Sequence, residues 1–366
     1  MNCSLAQPKG DIARQPLAMV GLTFFEPAFR ILPRAVWPAG SPEQREVFFP
    51  RYTVGEAGRE SETMTQHLLA LQDFSKEQLG AYIEKPLLLK KEAKAGIRHQ
   101  QLAGKTVALI FEKPSTRTRV SFEAAMYGLG GQVIYLSGRD TQLARNEPLK
   151  DMARVMARYV DGMVIRTFGQ EIVDELARYS SVPVINALTD LHHPCQILSD
   201  IMTVIEKKGA VERLKVAWVG DGNNMANSWI EAASRLGFAL TLACPEGYDP
   251  NPQILARAQA EASQPITVVR DPAAAVAGAD VINTDVWASM GQESEQAARI
   301  KVFQPYQVNA ALVQKAKPDA IVLHCLPAHR DEEITDEVLE GGQSVVWDQA
   351  ENKMHIHKAI LEKHLG

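Results

Sequence analysis

Cysteine is scarce in this chain. The 366 residues hold four, Cys3, Cys195, Cys244 and Cys325, far apart and never spaced as C-x-x-C. That speaks against a disulfide framework and for free thiols in a reducing cytoplasm. Metal-ligand spacings are also missing. Nine histidines include the close sets His192-His193 and His355-Ile356-His357, but no H-E-x-x-H and no Cys/His set. No metal or other cofactor is expected. No apolar run reaches the length of a membrane span. Excess positive charge is absent as well. A net charge of −5 argues against nucleic acid or an acidic membrane surface as the main partner. What is present is ordinary for a globular protein: 46% hydrophobic and 23% charged residues, over a length that fits two domains.

Residues 1–63 differ from the rest. They hold seven of the twenty prolines, with no amphipathic segment between them. A poorly ordered extension is expected. A transit segment is one alternative, since the first forty residues are poor in acids, although they are neither Ser-rich nor strongly Arg-rich. A start assigned too early, with Met64 as the working start, is another.

From Ser75 onward, strand-like and helix-like runs alternate. The spacing predicts helices over Ser75–Ala95, Thr118–Leu129, Pro148–Tyr159, Gln170–Tyr179 and Pro194–Lys207. Strands are expected at Lys105–Phe111, Val133–Leu136, Met163–Thr167 and Val182–Asn186. A second alternating half follows. Its strands are expected at Lys215–Val219, Leu240–Ala243, Thr267–Val269, Val281–Asp285, Ala320–His324 and Ser344–Trp347. Its helices are expected at Ala226–Leu236, Pro252–Ala262, Pro272–Ala277 and Val308–Ala316. The fold class is therefore α/β, with two open parallel sheets joined by bridging helices. The last helix, His355–His364, is expected to return to the first domain. The expected division is an extension 1–63, a first domain 64–207 with the C-terminal helix 350–366, and a second domain 208–349. Sites in such pairs lie at strand C-terminal ends and between the domains.

The densest chemistry lies in Phe111-Glu112-Lys113-Pro114-Ser115-Thr116-Arg117-Thr118-Arg119. Here a buried strand turns into a helix N-terminus. Free N–H groups and the dipole's positive end favour an anion there. Three hydroxyls and two guanidinium groups add the donors a phosphate needs. An ordinary helix cap needs only one hydroxyl. Further along, Arg166 closes a strand. His193-Pro194-Cys195-Gln196 opens the bridging helix, with His193 and Gln196 on one face. Gly220-Asp221-Gly222-Asn223-Asn224-Met225 follows a strand and invites a dinucleotide reading, but Met225 stands where that fingerprint wants glycine. Asp285-Val286-Trp287-Ala288-Ser289-Met290-Gly291 and His324-Cys325-Leu326-Pro327 follow two more strands.

Ser-Thr-Arg-Thr-Arg after Phe-Glu-Lys-Pro resembles the carbamoyl-phosphate signature of the aspartate/ornithine carbamoyltransferase superfamily. His-Pro-x-Gln, Ser-Met-Gly and His-Cys-Leu-Pro follow in the family order, from about Leu68 to the C-terminus. The last two resemble the ornithine branch. The resemblance implies transfer of the carbamoyl group of carbamoyl phosphate to the δ-amine of L-ornithine, giving L-citrulline and phosphate, as in arginine biosynthesis. A carbamoyltransferase for another amine, such as putrescine, is the alternative. A nicotinamide-dependent oxidoreductase built on Gly220-x-Gly222 and a non-catalytic carbamoyl-phosphate-binding subunit are more distant rivals.

The resemblance also implies roles. Ser115, Thr116, Arg117 and Thr118 would hold the phosphate. Arg166 and His193 would act on the carbamoyl oxygen. Gln196 and the Leu326 carbonyl would meet the carbamoyl NH₂. Asn224, Asp285, Ser289 and Met290 would hold ornithine, with Cys325 beside its reacting end. Gln142 would reach a neighbouring subunit's phosphate, as part of a homotrimer or a multiple of trimers. Lys353 stands where many relatives have an arginine that binds carbamoyl phosphate; it either takes that task or faces solvent.

Overall fold

The computed structural model of the chain describes residues 65–138, 147–289 and 293–366. The expectations for residues 1–63, and those for Gln142, Met290 and Gly291, lie outside the described residues.

The first half begins with α1 (Lys76–Lys94), opened by a capping box between Ser75 and Gln78. Then come β1 (Thr106–Phe111), α2 (Thr116–Tyr127), β2 (Gln132–Ser137), α3 (Leu149–Met156), β3 (Gly162–Arg166), α4 (Gln170–Tyr179), β4 (Val184–Leu188) and α5 (Pro194–Lys208). The strands pair in parallel in the order β2-β1-β3-β4. β1 and β3 lie in the middle and are buried almost throughout. That explains their unbroken apolar sequences, which covered parallel strands require. β2 lies at the edge and keeps exposed positions.

The second half holds β5 (Lys215–Val219), α6 (Asn224–Leu236), β6 (Ala239–Ala243), α7 (Pro252–Glu261), β7 (Ile266–Val269) and α8 (Pro272–Val276). β8 (Val281–Thr284), α9 (Gln296–Phe303), α10 (Ala310–Val313), β9 (Ile321–His324), α11 (Asp336–Leu339) and α12 (Val346–Leu365) follow. Its sheet is also parallel, in the order β7-β6-β5-β8-β9. In both sheets the order reverses beside the first strand, so a crevice opens at the C-terminal ends of β1 and β5.

One apolar cluster runs through both halves. It includes Ile197 and Ile201 of α5, Trp229 and Ile230 of α6, Leu79 and Tyr82 of α1, and Ile356 and Ile360 of α12. α5 is buried along most of its length, as a helix between two domains must be. α12 packs back on the first half. Its His357 ring stacks on Phe122 at 3.6 Å and its Nδ1 lies 2.8 Å from Ser121 Oγ. Its His364 Nε2 lies 2.6 Å from Tyr82 Oη.

The two parallel-sheet α/β domains are as expected. Three local expectations are corrected. Ser344–Trp347 is not a strand. Ser344 makes a single parallel bridge to Val322, and Val346 already begins α12. Val345 and Val346 of this short apolar run are buried at that junction while Trp347 is exposed, and such runs do not distinguish strand from helix. The last helix consequently starts well before His355. The helix expected at Val308–Ala316 shrinks to Ala310–Val313, while α9 and α11 carry no strong periodic signal and are additions.

Candidate active site

A cavity of about 550 Å³ lies at the C-terminal ends of β1, β3, β5, β8 and β9. Every proposed site residue among the described ones lines it: Ser115, Thr116, Arg117, Thr118, Arg166, His193, Gln196, Asn224, Asp285, Ser289, Cys325, Leu326 and Lys353.

Ser115 is the N-cap of α2, and its Oγ accepts from Thr118 N at 3.3 Å. The first turn therefore points its remaining N–H groups at the cavity. Arg117 lines the cavity, but Arg119 does not. Arg119 pairs with Glu123 at 2.9 Å and lies over the Tyr135 ring at 3.6 Å. Positions two apart on a helix do not share a face, so the expected pair of phosphate-facing guanidinium groups is reduced to one here.

The second guanidinium comes from Arg166 at the end of β3, 7% exposed. Burial lowers its pKa to about 10, with Arg117 acting in the same sense, and it stays cationic at neutral pH. His193 is the N-cap residue of α5, fixed by Pro194 in the first turn and by its backbone N–H donating to Ser228 Oγ at 2.8 Å. Burial holds its pKa well below the usual histidine value, helped by Lys353, Arg166 and His357. The ring is therefore neutral. A neutral imidazole offers one N–H donor and no charge.

Lys353 does not face solvent. It is 7% exposed, and its Nζ donates to Gln196 Oε1 at 2.8 Å. Burial lowers its pKa to about 8, with Arg166 and Arg117 in the same sense.

The second half of the fold adds an acidic group, Asp285. Cys325 Sγ donates to Asp285 Oδ1 at 3.0 Å, and Asn223 Nδ2 donates to Asp285 Oδ2 at 3.2 Å. Burial and then Asp285 push the Cys325 thiol well above its ordinary value. It is a thiol at neutral pH, so it acts as a donor and not as a nucleophile. Asn224 Nδ2 donates to the Thr189 carbonyl at 2.7 Å, which ties the start of α6 to the first half. Leu326 has φ 58°, an uncommon conformation for a branched residue at the cavity wall.

Sequence reasoning missed several residues here. Lys113 is buried, pairs with Asp190 and lies over the Phe168 ring. Arg299 of α9 is buried, pairs with Asp221 and donates to the Trp287 carbonyl at 2.5 Å. Burial raises Asp221 to about 6. Neither pair had a spacing signal, because the partners are distant in the chain.

The Gly220-x-Gly222 loop is closed to a dinucleotide phosphate. A Cβ on Gly222 would lie 2.3 Å from the Asp249–Pro250 backbone. Its N–H already donates to the Tyr248 carbonyl at 2.9 Å. The glycine serves a close chain approach instead. Asp285, His324 and Cys325 bring ligand-type atoms within 4.8 Å of one another. These atoms are engaged already, Cys325 with Asp285 and His324 with Glu333 and the Leu326 N–H.

Residues 66–206 match the family model described as the aspartate/ornithine carbamoyltransferase carbamoyl-P binding domain. Residues 212–363 match its Asp/Orn binding domain. The chain is 73% identical over 303 residues to an ornithine carbamoyltransferase of Desulfotalea psychrophila, covering 83% of this chain and 100% of that one. It is 53% identical to the anabolic ornithine carbamoyltransferase of Pseudomonas aeruginosa, over 81% of this chain and 96% of that one. The solved ornithine carbamoyltransferase from Pyrococcus furiosus superposes with a TM-score of 0.80 at 50% identity, over 82% of this chain and 97% of that one.

Proposed function

The chain belongs to the aspartate/ornithine carbamoyltransferase family, and from that premise we propose that it carbamoylates L-ornithine. Carbamoyl phosphate and the δ-amine react to give L-citrulline and phosphate. The observation that carries the reading is one cavity lined by Arg117, Arg166 and Lys353 together with Asp285. A phosphate and an amino acid each find a complementary partner there. Putrescine, the alternative acceptor, lacks the α-carboxylate of ornithine; Asn224 would hold that group or the α-amino group in this reading, and the relatives named above are ornithine enzymes.

In this reading the α2 N-terminus, with Ser115, Thr116, Arg117 and Thr118, holds the phosphate. Lys353 adds a charge beside it. The neutral δ-amine attacks the carbamoyl carbon. The carbonyl electrons move to oxygen, where Arg166, neutral His193 and Thr118 stabilise the oxyanion. Collapse breaks the carbon–oxygen bond to phosphate, which leaves with the electron pair, and the nitrogen loses its proton. Gln196 and the Leu326 carbonyl orient the carbamoyl NH₂. Asp285, Ser289 and Met290 hold the ammonium end of ornithine, and Cys325 orients Asp285. The test is citrulline formation by purified protein with ornithine, putrescine and aspartate side by side. Turnover confined to ornithine is expected, and faster turnover of putrescine overturns the acceptor.

A homotrimer or a multiple of trimers, with Gln142 reaching a neighbouring site, belongs to the same proposal. Its support is an apolar stripe on α2, Val120, Ala124 and Tyr127, exposed at helical spacing beside the cavity. An anabolic role is proposed in keeping with the Pseudomonas relative's name, and a cytoplasmic location in keeping with the scarce, unpaired cysteines of the sequence. Among the described residues no helix is long and apolar enough to cross a membrane. The family matches begin at residue 66. A chain started at Met64 is therefore expected to keep full activity and the same oligomer by gel filtration; loss of either gives residues 1–63 a role.

A further inference from the structure

Asp200 lies on α5, one turn beyond Gln196, and is 0% exposed. Side-chain amides from three elements donate to it. Gln196 Nε2 reaches Oδ1 at 2.8 Å, and Gln349 Nε2 of α12 reaches the same oxygen at 2.7 Å. Asn283 Nδ2 of β8 reaches Oδ2 at 3.4 Å. Burial raises its pKa to about 6, opposed by these amides and by Lys353, so it is ionised at neutral pH.

An ionised carboxylate only accepts hydrogen bonds. Any amide facing it must present its NH₂. Gln196 therefore has one allowed orientation, with Oε1 turned toward Lys353 Nζ, which donates to it at 2.8 Å. Turned over, Gln196 would set oxygen against carboxylate and NH₂ against ammonium. Gln349 obeys the same rule, and its Oε1 accepts from His324 N at 3.0 Å. The Gln196 oxygen has two lone pairs, and Lys353 uses one.

We propose that Asp200 is a positioning residue that sets donor specificity: by fixing the Gln196 amide it makes the cavity offer an oxygen to the ligand. That oxygen rewards the NH₂ of a carbamoyl group and gives nothing to the methyl of an acetyl group on the same phosphate. A site built to hydrogen-bond a group rejects the analogue lacking it. The inference rests on the carbamoyl phosphate reading above.

Phosphonoacetamide and acetonylphosphonate differ only by NH₂ against CH₃. Their binding to the full chain is measured by calorimetry near neutral pH. The unaltered protein is expected to prefer the amide by at least about tenfold. Asp200→Leu removes the acceptors at similar volume, and the preference should fall at least about fivefold. Asp200→Asn should retain it. Its oxygen can still serve Gln196 and Gln349, and its new NH₂ can meet Asn283 Oδ1, which has no partner now. If the leucine variant does not fold, Asp200→Asn combined with Asn283→Leu removes that outlet. The new NH₂ then turns toward Gln196, and the preference should fall.

Equal binding of both ligands by the unaltered protein overturns the proposal. So does an unchanged preference in the folded leucine or double variant. Loss of preference in Asp200→Asn as large as in Asp200→Leu also overturns it, by assigning the effect to charge. Failure of the functional reading looks different: the binding pattern holds, yet carbamoyl phosphate and ornithine give no citrulline.

Discussion

The first half of the fold and α12 bring the cations of Arg117, Arg166 and Lys353 to the cavity, besides the Lys113–Asp190 pair; the second half brings the carboxylates of Asp221, Asp249 and Asp285. The acidic set is mostly neutralised from within. Asp221 pairs with Arg299, and Asp249 pairs with Arg270. Among the described residues Asp285 is bound by a thiol and an amide and has no ion pair. Lys353 donates to a neutral glutamine, and burial first, then the nearby Arg166 and Arg117, lower its pKa to about 8. The comparison separates structural charge from charge kept for a ligand. An anion relieves the basic set, and a single ammonium relieves the acidic one.

The largest effect is expected at Arg166. Arg166→Met removes the guanidinium proposed to face the developing oxyanion. A kcat loss of about 10³-fold is expected, measured as citrulline formation at saturating substrates. A loss below about tenfold moves the oxyanion role to another group. Asp285→Asn tests the acidic set alone. It keeps the shape but removes the charge, so the KM for ornithine should rise about 10²-fold. Phosphonoacetamide binding by calorimetry should barely change. Equal damage to both sets would mean that the sets are not independent.

Lys353 sharpens the basic set through pH. A lysine whose folded pKa is lowered to about 8 is charged below that value and neutral above it. Carbamoyl phosphate affinity should therefore be full below about pH 8 and weaken as pH rises through it. Lys353→Arg keeps its charge throughout and should flatten that loss. Lys353→Ala should raise the KM for carbamoyl phosphate about tenfold or more, as one charge-assisted contact requires. Meanwhile kcat/KM for ornithine should climb from pH 6 toward about pH 8–9, because only the neutral amine attacks. A flat ornithine profile contradicts amine deprotonation as the limit.

The basic set was largely legible because its donors are consecutive: Ser115 to Thr118 announce a strand-to-helix turn by themselves. Arg166, His193 and Cys325 were legible as strand or helix ends. Asp200 was not. It reads as one polar residue in the apolar run Ile197-Leu198-Ser199-Asp200-Ile201, and two of its three amide donors lie 83 and 149 residues away. Arg299 was hidden because the apolar residues of α9 do not gather on one face and the helix has no side-chain cap. The strand expected at Ser344–Trp347 failed for a related reason, since burial at a junction makes a helix start look like a strand.

The smallest effect is expected at Arg119, and it tests how narrowly the basic set is drawn. Sequence proximity groups Arg119 with Arg117. Helix geometry separates them, since residues two apart point to different sides. In the structure Arg119 turns to Glu123 and the Tyr135 ring, on the outer side of α2. Its charge there is exposed and screened by solvent and salt. Arg119→Ala should therefore change the KM for carbamoyl phosphate by less than about twofold, while Arg117→Ala raises it by about tenfold or more. The two variants share a helix turn, so a general disturbance of α2 would affect both alike. A large rise in the Arg119 variant would extend the phosphate site to the outer face of α2. It would also require Arg119 to leave Glu123 when the ligand binds, which loss of the effect in an Arg119→Ala, Glu123→Ala pair would reveal.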